Sequence, residues 1–400
     1  MRPRLLFVSP RFLFPADSGG KIRSSQLLRH LKRSHFEITL ASPATAQAEA
    51  RHRADLESIC DRFIGWPAGG ALSAKLTRPL ALAGRLPVSV ASDRSPAAVA
   101  SIAAALATRP DIVVFDFVHA AVFAPDRIDD PSVLFTHNCE AQIFERHAQQ
   151  NADTMLGRLW HSQAKKMQRF EGSALARFDQ VIAVSDQDAR QFHQRYGHST
   201  TAVIPTGVDT DYFAYSPPPA GAEIAFTGSM DWAANIDAIE WFAAEVWPAI
   251  RARRPDASLR VIGRNPPARL VERLGNAGIR FTGFVDDVRP HLTKASVYVM
   301  PIRVGSGTRI KAYEAMAAGR PVVSTAIGVE GLDLEPGRHY LQADTADAFA
   351  RATLDLLESA ERRERLAATA REHVERNYSQ PQVAAHFAQI LLDTISRHAP

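Results

Sequence analysis

Short apolar runs alternate with longer segments of helical periodicity along the whole chain. Five runs fall in the first half: RLLFVS, FEITLAS, DIVVFD, SVLFT and DQVIAVS. Five more fall in the second half: EIAFTG, SLRVIG, GIRFTG, SVYVMP and PVVST. Runs of this length, separated by helix-length segments, are typical of parallel strands joined by crossover helices. The sequence therefore predicts an α/β fold made of two doubly wound halves.

The boundary between the halves is predicted in the segment IPTGVDTDYFAYSPPPAGA, where prolines and glycines interrupt both helix and strand. This places one domain at residues 1–203 and a second at residues 204–380. Helical periodicity from Thr345 to Asn377 predicts one long helix, and a last helix is predicted from Pro381 to about Ser396.

Composition and charge narrow the class of protein. The 400 residues exceed the usual size of one core, and 46% hydrophobic with 22% charged residues is typical of a globular protein. A formal net charge of +4 is too small to indicate a nucleic-acid partner. The cysteines, Cys60 and Cys139, have no ligand-like spacing, which predicts neither a disulfide framework nor a zinc site. The N-terminal run LLFV is too short for a signal peptide or a membrane span, so we expect a cytoplasmic protein.

One predicted helix is basic and amphipathic. The segment from Lys21 to Arg33 carries five lysines and arginines and no acid, while its leucines fit one helical face. Two interpretations stay open: a solvated helix surface, or peripheral contact with anionic lipid on the inner face of a membrane.

Two glycine-containing loops follow strands at the edge where open α/β sheets bind ligands. In the first half, Gly19 and Gly20 are expected in a loop before the basic helix. In the second half, a helix is expected to begin near the end of the loop Gly305, Ser306, Gly307 and Thr308. Glycines let a backbone approach a ligand closely, and a helix start offers unpaired N–H groups to an anion. Both loops are therefore candidates for phosphate binding.

Arg309 and Lys311 fall in the first turn of the second helix, where a cation is unfavourable beside the positive end of the helix dipole. A bound polyphosphate would reverse that sign, whereas the alternative is two side chains in solvent. The loop does not match G-x-x-x-x-G-K-[ST], and no G-x-G-x-x-G follows the first strand. Asp209 and Asp211 lie in the proline-rich connector and are interpreted as turn residues rather than a metal pair.

Two histidines follow strands of the first half. His119 comes after DIVVFDFV, and His137 comes after SVLFT. Because the carboxyl ends of parallel strands share one edge of a sheet, both are candidates for contact with a substrate. A structural role is the alternative for each.

Together these motifs resemble the retaining GT-B glycosyltransferases of group 1, the family 4-like enzymes that use nucleotide sugars. The resemblance rests on the SGG loop, AVSD, IPTGVD, FTGFVDDV and GSGTRIKAYEAMAAGRPVVST. It implies two Rossmann-like domains that face a central cleft, with the acceptor on the N-terminal domain and the donor mainly on the C-terminal one. It also implies that the final helix, within residues 381–400, crosses back to the N-terminal domain.

The resemblance implies roles for single residues. Glu314 matches the second glutamate of the family's E-x7-E motif, which accepts hydrogen bonds from the nucleotide ribose. The first glutamate would fall at Ser306, where this sequence departs from the motif. The loop at Gly283, Phe284 and Val285 matches the one that reads the base through main-chain groups.

A second departure concerns the cations that hold the diphosphate. Many relatives place an Arg and a Lys after the first strand of the C-terminal domain, but here Gly228 is followed by SMDWAANIDAIEW. Arg309 and Lys311, with Arg264 as a further candidate, would then supply the positive charge.

The implied activity is hexosyl-type transfer from a nucleotide-diphosphate sugar to an acceptor hydroxyl, in polysaccharide or glycolipid biosynthesis. Retention of configuration is expected, without a metal or other cofactor, and the partners expected are the donor and a glycan or lipid-linked acceptor. The residues predicted to be catalytic are His119, His137, Arg309 and Lys311. Those predicted to bind the donor are Gly19, Gly20, Gly228, Arg264, Gly283, Phe284, Val285, Gly305, Ser306, Gly307, Thr308 and Glu314. Two alternatives stay open: a nucleotide-sugar 2-epimerase of the same fold, and a binding subunit without turnover.

Overall fold

Two parallel sheets organise the protein in a computed structural model, which describes residues 2–67, 82–150, 154–304 and 309–398. The first sheet has the strand order β3-β2-β1-β4-β5-β6-β7. Its strands are β1 (Arg4–Val8), β2 (Glu37–Pro43), β3 (Arg62–Trp66), β4 (Ile112–Asp116), β5 (Ser132–Phe135), β6 (Gln180–Ala183) and β7 (Thr201–Val203). The second sheet has the order β10-β9-β8-β11-β12-β13. Its strands are β8 (Glu223–Thr227), β9 (Ser258–Ile262), β10 (Ile279–Phe281), β11 (Val297–Met300), β12 (Val322–Ser324) and β13 (Leu341–Gln342).

All ten runs read from the sequence are strands, and three further strands were missed. The missed strands β3, β7 and β13 all lie at sheet edges, and they are short or only partly buried. An edge strand buries less apolar surface than a central one, so its hydrophobic pattern is weaker.

The chain divides into two compact units, Met1–Pro205 with Val383–Pro400, and Thr206–Gln382. The helices around the first sheet are α1 (Gly19–Ser34), α2 (Ala46–Arg51), α3 (Arg53–Ile59), α4 (Val88–Asp93), α5 (Pro96–Leu106), α6 (Phe117–Ala120), α7 (Glu140–Gln150), α8 (Met155–Leu175), α9 (Asp186–Tyr196) and α17 (Gln380–His398). Those around the second sheet are α10 (Ala233–Trp241), a π-helical turn (Phe242–Val246), α11 (Trp247–Arg253), α12 (Ala268–Gly275), α13 (Arg289–Leu292), α14 (Ile310–Ala317), a 3-10 turn (Ile327–Val329), α15 (Ala346–Glu358) and α16 (Ala360–Tyr378).

The single helix expected from Thr345 to Asn377 is wrong, because the structure divides it into α15 and α16. Ser359 ends the first and begins the second, and its hydroxyl accepts a hydrogen bond from the backbone N–H of Arg362 at 3.3 Å. Serine is a preferred helix start because its side chain satisfies an N–H of the first turn. The apolar periodicity continues across the junction, which is why the pattern alone concealed it.

Central strands of each sheet are buried on both faces. In the first sheet Leu5, Phe7 and Val114 point into one core, while Leu6 and Phe115 point into the other. This explains the near-continuous apolar runs, since a sheet covered by helices on both faces has no polar side. Helix α17 packs on the first of these cores, where the rings of Phe387 and Phe135 lie 5.2 Å apart.

Each strand order reverses once, between β1 and β4 and again between β8 and β11. At such a reversal the loops leave the sheet in opposite directions and open a crevice at the carboxyl ends of the strands. Each unit therefore has one place where its topology favours ligand binding.

Candidate functional site

In the unit of the first sheet, α1 begins earlier than the sequence predicted. Gly19 and Gly20 are its first two residues rather than part of a loop, which corrects that expectation. A Cβ atom on Gly20 would lie 2.4 Å from the ring of Phe117, whereas one on Gly19 would meet nothing within 4 Å. Packing therefore requires a glycine at position 20, and position 19 faces open space.

Five polar residues meet at the reversal between β1 and β4, and we call them the Asp116 cluster: Ser9, Arg23, Ser24, Asp116 and His137. The carboxylate of Asp116 is buried at the end of β4. It accepts hydrogen bonds from Ser24 at 2.9 Å, Ser9 at 3.2 Å and His137 Nε2 at 2.7 Å. Its negative charge is thus compensated by three donors from three different segments.

Arg23 fixes the protonation state of His137. A guanidinium nitrogen of Arg23 lies 2.9 Å from Nδ1 of His137, and a guanidinium can only donate. Nδ1 must then accept, so the proton resides on Nε2 and points to Asp116. Burial is the largest influence and lowers the pKa of His137, with Asp116 opposing it. The imidazole is therefore neutral and both of its nitrogens are occupied.

Phe117 completes the surroundings of His137. Its ring stacks on the imidazole with centroids 3.8 Å apart and planes inclined by 11°. The backbone φ of Phe117 is 65°, a left-handed conformation that is costly for an aromatic residue. Such a conformation is typical of functional sites, because the surrounding structure must hold it in place.

His119 lies outside this hydrogen-bond network. It belongs to α6, is buried, and its Nε2 lies 3.2 Å from the hydroxyl of Ser89. Burial, and then the charge of Arg11, lower its pKa to about 4. The two predicted histidines are thus both neutral, but they have different partners.

The basic face of α1 is largely engaged by the protein. Arg23 contacts His137, and Lys32 donates to the carbonyl oxygen of Cys60 at 2.7 Å. Lys21 forms an ion pair with Asp17 at 3.1 Å. Most of the charge of this helix is therefore used in contacts within the protein, which does not favour the interpretation of α1 as a lipid-binding helix.

In the unit of the second sheet, glycines bring the ends of β8, β9 and β10 together. A Cβ on Gly263 would lie 1.9 Å from the carbonyl oxygen of Gly228, and one on Gly228 would lie 2.7 Å from the side chain of Asn235. Gly283 pairs with Gly263 and has a φ of 71°, which favours glycine. These close contacts place the predicted residues Gly228 and Gly283 at one edge of the sheet.

The side chains near these glycines differ in exposure. Phe284 is 72% exposed, whereas Val285 is partly buried and packs on the core. Arg264 is largely exposed, and its Nε donates to the hydroxyl of Ser229 at 3.0 Å. The guanidinium of Arg264 therefore lies beside the loop that follows β8.

The glycine loop after β11 cannot be placed. Gly305, Ser306, Gly307 and Thr308 lie outside the described residues. Helix α14 begins at Ile310, with Arg309 immediately before it, which is two residues later than the sequence indicated.

The reversal between β8 and β11 holds a second set of polar residues, the Lys311 cluster: Thr227, Asn235, Arg309, Lys311 and Glu314. The ammonium of Lys311 donates to the carbonyl oxygen of Thr227 at 3.0 Å and to Oδ1 of Asn235 at 3.1 Å. Asn235 is held in turn by donating to the carbonyl oxygen of Ser229 at 2.8 Å. Helix α14 thus delivers a cation to the end of β8, the segment that lacks one of its own.

Burial shifts the pKa values of the charged residues in the Lys311 cluster. Burial, and then the nearby Arg309, lower the pKa of Lys311 to about 8. Burial raises the pKa of Glu314 to about 7, although Lys311 opposes the shift. Arg309 is buried and lies 5.5 Å from the centroid of the Trp232 ring, and burial lowers its pKa. A ligand that brings an anion to Lys311 and hydroxyl groups to Glu314 would therefore favour the charged forms of both groups.

The carboxylate of Glu314 has no hydrogen-bond donor among the residues that the structure describes. Lys311 uses two of its three N–H groups on the contacts above. A partly buried carboxylate and ammonium with unused hydrogen-bonding capacity can receive hydroxyl groups and an anion, respectively.

Sequence analysis missed several residues of these clusters, among them Asp116 and Asn235, and also Trp232, whose ring lies beside Arg309. Asp116 is the last residue of the apolar run DIVVFD, and an acid there at a strand reversal was an available signal. Asn235 and Trp232 lie in the segment after Gly228, which was examined only for cations. Their contacts with Lys311 and Arg309 join positions 76 or more residues apart, so no local pattern could have revealed them.

Two other expectations concern metals and membranes. The Asp209 side chain accepts a hydrogen bond from the backbone N–H of Tyr212 at 2.8 Å, which is the contact of a turn residue. No group of three or more His, Cys, Asp or Glu side chains in the described ranges is arranged to hold a metal ion. Cys60 and Cys139 are buried and free. Within the same ranges, every helix falls short of the length and hydropathy that crossing a bilayer requires.

Two family profiles match the chain. The profile "Glycosyltransferase Family 4" matches residues 18–212, and "Glycosyl transferases group 1" matches residues 221–359. The second match includes the reversal between β8 and β11, whereas the first begins after β1.

Curated relatives include two mannosyltransferases. The chain is 31% identical over 284 residues to the phosphatidyl-myo-inositol mannosyltransferase of Mycolicibacterium smegmatis, which spans 67% of this chain and 72% of that protein. It is 25% identical over 223 residues to a GDP-mannose-dependent monoacylated alpha-(1-6)-phosphatidylinositol monomannoside mannosyltransferase of Corynebacterium glutamicum, spanning 50% of this chain and 58% of that protein.

Solved structures with the same architecture include HepE of Anabaena in complex with UDP. That similarity has a TM-score of 0.67 at 14% identity and covers 98% of this chain and 100% of the other. Sucrose-phosphate synthase from Thermosynechococcus elongatus matches with the same TM-score of 0.67 at 17% identity, over 98% of this chain and 100% of that one. At these identities the likeness shows the fold.

Proposed function

The chain belongs to the group 1 and family 4 glycosyltransferases, and on that premise we propose how its residues bind the donor and what acceptor it takes. The α/β GT-B class read from the sequence is confirmed, as is nucleotide-sugar-dependent glycosyl transfer. The reported relatives are transferases and give the 2-epimerase alternative no support.

The Lys311 cluster is the observation that carries the proposal. Lys311 and Arg309 stabilise the diphosphate of the donor, and Glu314 accepts hydrogen bonds from the ribose hydroxyls. Support comes from the third N–H of Lys311 and the carboxylate of Glu314, which have no hydrogen-bond partner among the described residues, and from their place at a strand reversal. A bound diphosphate would offset the desolvation of the two cations, and the hydroxyls would satisfy the carboxylate.

Lys311 takes the place of the cations that relatives carry after the first strand of this domain. Its ammonium contacts Thr227, the last residue of β8, although the residue itself lies on α14. Lys311 thus brings a positive charge to the same strand end, but from a different position in the sequence and from a different helix. Arg264 contributes a second, more exposed charge from the end of β9.

Transfer breaks the bond between the anomeric carbon and the phosphate oxygen and forms a bond from that carbon to the acceptor oxygen. The proton of the acceptor hydroxyl passes to the leaving phosphate oxygen on the same face, with retention and without a metal. His137 supports this route, because Arg23 occupies its Nδ1 and Asp116 its Nε2, which leaves no lone pair for a base. We assign His137 a neutral, structural role in its own unit, and the leaving-group charge is stabilised by fixed cations.

The acceptor that we propose is lipid-linked, with polysaccharide or glycolipid biosynthesis as the setting. The curated relatives above are mannosyltransferases whose names specify phosphatidylinositol-based acceptors. We place the protein in the cytoplasm, in peripheral contact with the membrane that holds such an acceptor.

The donor is tested by thermal shift with UDP, GDP and ADP and with their sugar conjugates, each with and without EDTA. Ligand binding to the native state raises the unfolding midpoint, so the strongest shift identifies the nucleotide. Transfer is then measured to phosphatidylinositol and to polyprenyl-phosphate sugars, with the product anomer read by NMR. An inverted anomer contradicts retention, and loss of activity in EDTA that Mg²⁺ restores contradicts metal independence.

A control separates the remaining alternatives. A 2-epimerase would convert the nucleotide sugar to its C2 epimer with no acceptor present. A binding subunit would shift its midpoint with the nucleotide sugar but transfer nothing to any acceptor of the panel.

A further inference from the structure

A helical hairpin of the first unit carries an apolar tip that the protein does not cover. Helix α8 begins there, and Met155, Leu156 and Leu159 are 88%, 51% and 40% exposed. The hydroxyl of Thr154 accepts a hydrogen bond from the N–H of Gly157 at 3.0 Å, so the first turn is well formed. Three large apolar side chains with this much exposure on one capped helix start form an apolar patch of the kind that marks an interaction surface.

The hairpin beneath the tip is rigid. Trp160 of α8 contacts Phe144 of α7 edge to face at 5.5 Å and stacks on His147 at 4.7 Å. Farther along, Met167 is fully buried between the two helices and their neighbours. The tip is therefore presented by a supported element rather than by a loose loop.

Cations follow the apolar tip along the outer face of α8. Arg158, Lys165 and Arg169 are exposed, and none has a hydrogen bond or ion pair from its side chain within the described part of the chain. Lys166 is also on this side and donates to the carbonyl oxygen of Leu82. The only acid of α8 is Glu171, which is buried and accepts hydrogen bonds from the start of α7. The charged side chains exposed on α8 are thus all cationic.

An open groove between α7 and α8 adds to this surface. Its volume is about 590 Å³, and its lining includes Gly157, Arg158 and His161. The acid in its lining, Glu145, is neutralised by two hydrogen bonds from Arg195, at 2.6 and 2.8 Å. The groove therefore presents positive charge next to the apolar turn.

We propose that the outer face of α8, from Met155 to Arg169, is the surface by which this protein docks on an anionic lipid bilayer. Its two ends are separated by about 21 Å at 1.5 Å per residue, so the helix can enter the headgroup layer tip first. The apolar tip then reaches the boundary of the acyl chains, and the cations behind it lie among the phosphates. In an anionic bilayer the negative phosphates lie near the surface and the apolar acyl chains lie deeper, which matches the order of the cations and the apolar tip along α8.

The face of α8 fits this partner better than α1, which the sequence made the candidate. Three of the five cations of α1 contact Asp17, His137 and a carbonyl group of their own unit, and the large apolar residue that α1 exposes is Ile22, at 43%. The inference deepens the proposed lipid-linked acceptor, but vesicle binding needs neither donor nor acceptor and can be tested separately.

The decisive test places an environment-sensitive dye on the tip. Met155→Cys is labelled and compared with labelled Ile22→Cys, since Cys60 and Cys139 are buried and react poorly. With phosphatidylcholine vesicles that contain about one third phosphatidylglycerol, the dye at 155 is expected to shift to the blue and the dye at 22 to stay unchanged. No shift at 155, or equal shifts at both positions, overturns the proposal.

Vesicle flotation measures the charge contribution. The triple variant Arg158→Gln, Lys165→Gln, Arg169→Gln is expected to bind these vesicles at least about tenfold more weakly than the wild type. The matched control, Arg269→Gln, Lys294→Gln, Arg365→Gln, removes three exposed cations elsewhere and is expected to bind normally. Both should keep the thermal midpoint and its shift with nucleoside diphosphate. Equal losses in the two triples would mean that net charge, not this face, governs binding.

Discussion

The two strand reversals hold polar clusters of similar size that differ in how far their charged groups have hydrogen-bond partners among the described residues. In the Asp116 cluster, the carboxylate has three donors and the imidazole uses both nitrogens. In the Lys311 cluster, the ammonium has two acceptors, and the carboxylate of Glu314 has no donor within the described ranges. A satisfied buried network contributes to stability, whereas an unsatisfied one costs free energy until a ligand completes it. The same topology thus supports a satisfied polar cluster in one unit and, in the other, the cluster that we propose binds the donor.

The largest effect expected from this comparison is on stability. Asp116→Ala leaves His137, Ser9 and Ser24 without this buried acceptor and removes one of the charges that favour Arg23, so we expect the free energy of unfolding to fall by about 3–5 kcal/mol. Asp116→Asn keeps one acceptor oxygen and should lose less. The measurement is chemical or thermal unfolding of the unit that contains the first sheet.

The control for this change is Asp129→Ala, which removes an exposed partner of Arg127 in the same unit. Surface pairs of this kind contribute at most about 1 kcal/mol. If Asp116→Ala were no more destabilising than this control, the Asp116 cluster would not be the satisfied network described above.

The next effect is on turnover and concerns Lys311. Lys311→Met keeps an unbranched side chain of similar size but removes the charge that stabilises the leaving diphosphate, so kcat should fall by about 100- to 1,000-fold. Donor affinity should fall less, because negative charge on the leaving group grows as the bond breaks. The thermal midpoint of the unliganded protein should not fall, since a desolvated ammonium has been removed.

Arg303→Gln is the matched control, since Arg303 is an exposed cation near the same sheet edge that pairs with Asp237 at 2.6 Å. Its kcat should stay close to that of the wild type. Equal losses of kcat and donor affinity in Lys311→Met would count against a role at the leaving group.

The fold was predictable because its information is local. A buried parallel strand is an apolar run, and ten such runs specified two doubly wound sheets, whereas the edge strands β3, β7 and β13 bury too little to be seen. The helix break at Ser359 was hidden because the apolar face continues across it.

The site was only partly predictable, because its contacts join distant segments. Sequence placed His137 at a strand end and Lys311 in the first turn of a helix, but their partners Asp116 and Asn235 lie 21 and 76 residues away. Whether a buried charge is satisfied depends on such partners, so the sequence alone could not separate the structural cluster from the open one. The positive charge of α1 was misleading for the same reason, since its partners come from other elements.

A smaller effect on donor affinity is expected for Glu314. The sign of its effect on the stability of the unliganded protein distinguishes the two clusters. Glu314→Gln weakens the hydrogen bonds to the ribose, and we expect donor affinity to fall about tenfold, which corresponds to about 1.4 kcal/mol. Because burial raises the pKa of Glu314 to about 7, its charge destabilises the unliganded protein above that pH. The variant should therefore unfold at an equal or higher temperature at pH 8, in contrast to Asp116→Ala. A clear decrease of the midpoint would show that Glu314 is satisfied in the unliganded protein.

The smallest effect is the pH dependence of donor binding, which should come from the Lys311 cluster alone. Lys311, with a pKa of about 8, loses its charge above that pH, and Glu314, with a pKa of about 7, loses its charge below that pH. Affinity for a nucleotide sugar should therefore be highest between about pH 7 and 8 and fall a few-fold within one unit on either side. A nucleotide sugar is the right probe because its diphosphate, unlike the terminal phosphate of a nucleoside diphosphate, has no proton that titrates in this range.

Calorimetric titrations of two variants show which residue causes the fall in donor affinity at high pH and which causes the fall at low pH. Lys311→Met should abolish the fall at high pH, and Glu314→Gln should abolish the fall at low pH. His137 should contribute nothing, because burial lowers its pKa and it is already neutral across this range. If both limbs persist in both variants, the titrating groups lie elsewhere, and the contrast between an open and a satisfied cluster does not govern donor binding.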